Sequence, residues 1–185
     1  MKIFLIGGAD EMNDQICVKI PPSPIEIESV ILDAQQIVKQ ALKACIEESI
    51  ATQSEYMVIC SNKEIITRTS DALLKSRLER ASDLNCKILI LSAQRIANLF
   101  PVNDQFFWID FFEGSDFFAM HESVYEDVLH ELCNAKTALS EILSIVTSNK
   151  LLLYPMITVK NERIEKTELR KRMARMAKKR KLFKY

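Results

Sequence analysis

Tyr56-Met57-Val58-Ile59-Cys60 and Cys86-Lys87-Ile88-Leu89-Ile90-Leu91 are two apolar runs of strand length, and the residues between them carry helical spacing from about Ser70 to Leu84. A continuous apolar run bounded by polar residues is what a strand covered on both faces requires. Strand, helix and strand in this order predict a β-α-β unit with parallel strands and a right-handed crossover. This places the chain in the α/β class, where ligands bind beyond the carboxyl ends of the strands. The loops after Ile6, Cys60 and Leu91 are therefore the positions of interest.

Toward the N-terminus, Lys2 to Ile6 reads as a buried first strand closed by Gly7-Gly8, since no small-residue cleavage site follows an extended apolar stretch. A second strand is expected at Gln15 to Ile20. Pro21, Pro22 and Pro24 then end any ladder, because proline has no N–H to donate. Ser23 is placed to cap a helix that begins at Pro24 and runs to about Thr52, with Ile27, Val30, Ile31, Ala34, Ile37, Val38, Ala41, Leu42, Cys45 and Ile46 on one stripe.

Toward the C-terminus, Ser92 to Gln105 has no clean period and reads as loop. Phe106 to Phe112 and Asp116 to Met120 suit two strands separated by Glu113-Gly114-Ser115. Helices are expected over 123–133 and 135–148, then a short strand at Leu151 to Tyr154 or Met156 to Val159, and a final helix from about Glu165 to Leu182.

Composition sets the outer limits. A chain of 185 residues with 48% hydrophobic and 27% charged residues suits one folded domain. No apolar run approaches the roughly 20 residues a membrane-spanning helix needs. The five cysteines (Cys17, Cys45, Cys60, Cys86, Cys133) are odd in number and form no C-x-x-C pair, which predicts reduced core residues in a cytoplasmic protein. The formal net charge of zero conceals a segregation. Residues 160–185 hold 12 of the 25 Lys and Arg but three of the 25 Asp and Glu, a charge of +9, which leaves −9 on the remainder. Two parts follow: an α/β domain over 1–160 and a basic helix or tail over 161–185.

Several groups have the chemistry of a site. Gly7 and Gly8 let backbone amides approach a nucleotide, although the G-x-G-x-x-G and P-loop spacings are absent and a plain tight turn explains them too. Trp108, Asp110, Glu113 and Asp116 bring one aromatic plane and three carboxylates into a short segment, suited to stacking on a sugar and to general-base work, or simply to an aromatic core with solvated acids. His121 and His130 have no ligand partners at zinc spacing, and no G-x-S-x-G elbow occurs.

Three stretches carry a family resemblance: Tyr56 to Glu64, Phe106 to Met120, and Asn149 to Val159. Together they resemble bacterial GT-A-type glycosyltransferases related to family 25. The resemblance implies a single Rossmann-like domain with a mostly parallel central sheet flanked by helices. It implies a donor nucleotide sugar near Gly7, Gly8, Asn62, Lys63 and Glu64, an acceptor wall with Trp108, Glu113 and Ser115, and catalytic acids at Asp110 and Asp116. The family's paired metal-binding acids fall at Asn62 and Lys63, and neither is a carboxylate. Mn²⁺ and Mg²⁺ prefer anionic oxygen ligands, so no cofactor is expected here. Lys63 is left to neutralise a diphosphate, or the site is catalytically degenerate.

The basic segment from Glu168 to Tyr185 aligns Leu169, Met173 and Met176 on one helical face, with Phe183 further on and Lys and Arg around the rest. That pattern suits a helix lying on an anionic membrane, where each basic residue adds about 1 kcal/mol. It equally suits salt-sensitive binding to nucleic acid, or a solvated tail. Two functions result: a glycosyltransferase-like protein of cell-surface polysaccharide synthesis, cytoplasmic or peripheral at the inner membrane face, and a non-enzymatic α/β adaptor whose tail docks on nucleic acid or an acidic partner.

Overall fold

The computed structural model describes residues 1–6, 34–60, 71–115, 117–133, 137–157, 171 and 173–176. The strand expected at 15–20, the first ten residues of the long helix, and the sites at Gly7, Gly8, Asn62, Lys63, Glu64 and Asp116 lie outside the described residues, as does most of the basic segment.

In chain order the strands are β1 (Lys2–Leu5), β2 (Tyr56–Cys60), β3 (Ile88–Ser92), β4 (Arg95–Ile96), β5 (Leu99–Pro101), β6 (Phe106–Ile109), β7 (Phe112–Glu113), β8 (Phe117–His121) and β9 (Lys150–Leu153). The helices are α1 (Ala34–Ala51), α2 (Asp71–Ser82), α3 (Tyr125–Leu132) and α4 (Leu139–Ile145). Seven strands form one sheet in the order β1-β2-β8-β3-β9-β6-β5, and β4 pairs with β7 in a separate ribbon.

The sheet is mixed. Strands β1, β2, β3, β5 and β9 run one way, β6 and β8 the other, so only β1 with β2 and β3 with β9 are parallel neighbours. The expected β-α-β unit is present in order but not in pairing: β8 enters between β2 and β3, antiparallel to both. Its sequence Phe117-Phe118-Ala119-Met120 explains why, since a strand buried along its length satisfies its apolar surface at the centre. A second difference is the stretch read as loop, which supplies β4 and β5. Pro101 is accommodated because β5 ends the sheet order among the described residues.

Both faces of the central strands are covered. Every residue of β2, β3 and β9 is buried. Helix α1 turns Ala41, Leu42, Cys45, Ile46 and Ser49 inward, the 3- and 4-residue steps of one helical face, and packs on β2 and α3. Helix α2 buries Leu74, Leu78 and Ala81, and α3 buries Tyr125, Val128 and Leu132. The Tyr125 hydroxyl donates to Ser54 O at 3.1 Å, tying α3 to the turn ahead of β2.

Few glycines are used to stop helices. Gln53 (φ 50°) and Asn85 (φ 55°) occupy the left-handed position after α1 and α2. Ser54 N reaches Ser49 O at 2.9 Å and Cys86 N reaches Ala81 O at 3.0 Å, the closing bonds of two Schellman motifs. Cys45, Cys60 and Cys86 are buried as expected, and burial pushes the Cys45 and Cys86 thiols up to about 12. Cys133 is exposed, contrary to the expectation of a core residue.

Candidate functional site

The two ends of the sheet carry different groups. At one end, β1 and β2 finish, β3 finishes at Ser92, and β8 begins, with Cys60 opposite Phe117 and Phe117 opposite Ser92. At the other end, Tyr56 faces His121, His121 N donates to Lys87 O at 2.9 Å, and Lys87 N donates to Asn149 O at 2.8 Å.

The predicted acceptor wall is divided between these ends. Ser115 stands with the carboxyl end: its hydroxyl lies 2.8 Å from Ser92 O and 3.3 Å from Phe117 O. The chain bends there through Gly114, whose φ is +59° and whose added Cβ would meet Gln94 Cδ at 2.6 Å. Glu113 is exposed beside Arg95, with Nη1 to Oε2 at 3.7 Å. An open cavity of about 270 Å³ is lined by Lys39, Phe112, Gly114, Ser115, Phe118 and Leu139, among others. The Ser92 hydroxyl is buried and has no hydrogen-bond partner among the described residues.

Trp108 and Asp110 are elsewhere. Trp108 lies on β6 opposite Leu151, its indole N–H donates to Ser148 O at 2.9 Å, and its ring tilts against Phe100 with centroids 5.7 Å apart. Asp110 follows the end of β6 and accepts from Asn98 Nδ2 at 3.2 Å. Strand β6 is four positions from β2 in the sheet order, about 19 Å at the usual strand spacing. Cys60, where the chain leaves β2, and Asp110 therefore lie at opposite ends of the sheet as well as four strands apart. The expected grouping of Trp108 and Asp110 with the end of the Tyr56–Cys60 strand is not found. The physical reason is that β6 runs against β2, so its C-terminal residues travel away from that end.

Two basic groups at this end, Lys150 and His121, have structural duties. Lys150 is buried, and its ammonium donates to Ser144 O at 2.6 Å and to Thr147 O, the carbonyls that close α4. Burial holds its pKa below the usual lysine range, partly countered by the negative charge of Asp110. His121 caps the short 3-10 turn Glu122–Val124, its Nδ1 accepting from Ser123 N at 3.1 Å. An accepting Nδ1 places the proton on Nε2, which lies 3.9 Å from Glu55 Oε1. Desolvation, and then the charge of Lys87, hold the His121 pKa below the ordinary value.

Sequence reasoning missed a feature at this amino end, an open cavity of about 310 Å³ whose wall includes Glu55, Tyr56, Leu78, Glu79, Ser82 and Asp83. No motif joins those residues, because α2 and the start of β2 meet only in the fold. It also missed the fate of Met173. This residue is fully buried in the core cluster, and Met176 packs partly against it, while Lys171 and Arg175 are exposed.

Among the described residues no group of three or more His, Cys, Asp or Glu is arranged to hold a metal ion. No helix among them is long and apolar enough to cross a membrane. Compared with protein-family models and with curated proteins, the chain matches neither.

Proposed function

We propose that this chain is a non-enzymatic α/β binding protein whose basic C-terminal segment docks on nucleic acid. The observation that carries this reading is the burial of Met173, with Met176 beside it, in a segment of charge +9. A helix that lies on a membrane gains its hold by inserting an apolar face. Here Met173 is spent on the protein's own core and Met176 partly so, which takes both from an inserting face and leaves them nothing to offer a membrane, so the reading rests on Coulomb attraction of the clustered cations. Polyphosphate is the partner that rewards clustered cations most, through release of condensed counterions.

The test is fluorescence anisotropy with a labelled duplex at several salt concentrations. Affinity is expected to fall at least tenfold between about 50 and 200 mM salt. Absence of binding at the lowest salt, or stronger sedimentation with anionic liposomes than with nucleic acid, overturns the reading.

A second reading has one observation in its favour. The ends of β1, β2 and β3 and the start of β8 converge at one edge, and Gly7, Gly8 and Asn62 to Glu64 continue in sequence from two of those ends. A glycosyltransferase-like protein, active or degenerate, would hold a nucleotide sugar there. Asp110 and Trp108 lie too far from that edge to serve it, which leaves Ser115 and Glu113 as the described residues of such a site. A rise in melting temperature with a uridine or cytidine diphosphate sugar, with or without Mn²⁺, supports it. No shift with any nucleotide removes it.

A further inference from the structure

We propose that Phe100 and Trp108, side by side on strands β5 and β6, stack the bases of a single-stranded nucleic acid. This rests on the docking of the basic segment proposed above, and it narrows the partner from polyphosphate in general to an unpaired strand. The antiparallel register sets Phe100 opposite Trp108 and Leu99 opposite Ile109. Leu99 and Ile109 are buried, so by the alternation of a strand the aromatic pair faces the other way. Its ring centroids lie 5.7 Å apart with the planes at 47°. Phe100 is 59% exposed and Trp108 is partly buried, on strands at the border of the sheet order among the described residues. Phe4, Phe106, Phe107, Phe112, Phe117 and Phe118 are all buried. A phenyl ring held in water beside an indole is the exception, since it forgoes the burial that the others obtain.

The chemistry of the pair selects a base. Every nucleobase has a π face, and aromatic side chains on a solvent-facing sheet surface hold unpaired bases by stacking, while a cationic element attracts the phosphates. The segment of charge +9 is that cationic element. A duplex keeps its base faces inside its own stack, so an unpaired strand is the form that gains from the rings. A sugar would need free polar groups around the rings to meet its hydroxyls. Those present are already engaged: the Trp108 N–H donates to Ser148 O at 2.9 Å, and Asn98 Nδ2 donates to Asp110 Oδ2 at 3.2 Å. The Asp110 carboxylate, next along the same face, repels phosphate, which leaves the rings to the bases and the phosphates to the basic segment.

Trp108 is the chain's one tryptophan, so its fluorescence reports this site alone. The full chain is titrated with an oligothymidylate of about 15 nucleotides, with a duplex of the same length and with inorganic polyphosphate, while anisotropy records binding. All three should bind at low salt, and the oligothymidylate alone should quench Trp108. Phe100→Ala, at an exposed position, should weaken the oligothymidylate about fivefold or more and leave the duplex and polyphosphate unchanged. The same loss is expected at about 50 and 200 mM salt, because stacking is not screened as phosphate contacts are. Phe100→Tyr, which keeps the ring, should bind as the wild type does. Binding of all three without quenching by oligothymidylate overturns the stacking and leaves the docking of the basic segment standing. Equal quenching by polyphosphate, or quenching by an oligosaccharide in place of the oligonucleotide, also overturns the stacking. Binding of none of the three overturns both readings.

Discussion

The carboxyl and amino ends of the sheet invite opposite expectations, and the structure reverses part of them. The carboxyl end is where an α/β fold conventionally keeps its chemistry, yet Ser92, Gly114 and Ser115 meet there and the charged pair beside them, Glu113 with Arg95, is exposed. The amino end holds Lys150, His121, Trp108, Asp110 and the acidic cavity. Most of those larger groups are committed to closing helices and turns. Lys150 bonds the carbonyls that end α4, His121 caps a turn, and Trp108 is fastened to Ser148. A chemically rich residue is therefore not in itself a site. Among the polar groups at that end, the buried hydroxyls of Tyr56 and Ser144 have no hydrogen-bond partner among the described residues.

Substitutions sharpen or break this contrast. The largest effect should come from Lys150→Met, which leaves the α4 carbonyls without their donor and should cost about 1–3 kcal/mol in urea unfolding. A cost below about 0.5 kcal/mol would mean that this lysine is not structural. Gly114→Ala tests the carboxyl end. The left-handed backbone and the 2.6 Å approach to Gln94 Cδ predict a loss of about 1–2 kcal/mol. An unchanged midpoint would show that the turn is soft. Asn85→Gly, at the left-handed position after α2, should raise stability by about 0.5 kcal/mol, seen as a higher urea midpoint.

The smallest effect is a pH dependence. The His121 pKa is lowered in the folded state, so the unfolded chain binds the proton more readily. Its contribution to stability is present above the ordinary histidine value and is lost as pH falls through that value toward the folded one. His121→Asn keeps a capping acceptor but cannot titrate. Chemical unfolding at pH 7 and at pH 5 should show the wild type losing more stability than the variant, and equal losses would remove His121 as the cause.

Some of this was legible in the sequence for simple reasons. Tyr56–Cys60, Ile88–Ser92 and the body of α1 are long enough and apolar enough to declare both element and burial. Neighbour order is another matter. Nothing in Phe117–His121 says that it will enter between β2 and β3, because strand pairing is settled by competition for the most buried position. Strands β4 and β5 have two and three residues, too few to show an alternation, and so read as loop. Of the stripe Leu169, Met173, Met176, the two methionines do turn to the core, Met173 fully and Met176 partly, while Leu169 lies outside the described residues; the pattern could not name what covers them. The candidate site was least legible. Three of its proposed residues, Trp108, Asp110 and Ser115, are neighbours in sequence that β6 and β7 carry to different ends of the molecule.

The outer strand β5 has one more consequence. Val102 N donates to Phe106 O at 2.9 Å, so by the alternation of an antiparallel ladder Pro101 directs its nitrogen outward. That nitrogen carries no hydrogen. No strand among the described residues pairs with β5 on that side, and with three residues and a missing donor in that row the border offers a poor template for recruiting another chain. Restoring a donor there with Pro101→Val would turn a guarded boundary into an adhesive one, leaving the ladder inside untouched while inviting copies to zip together edge to edge.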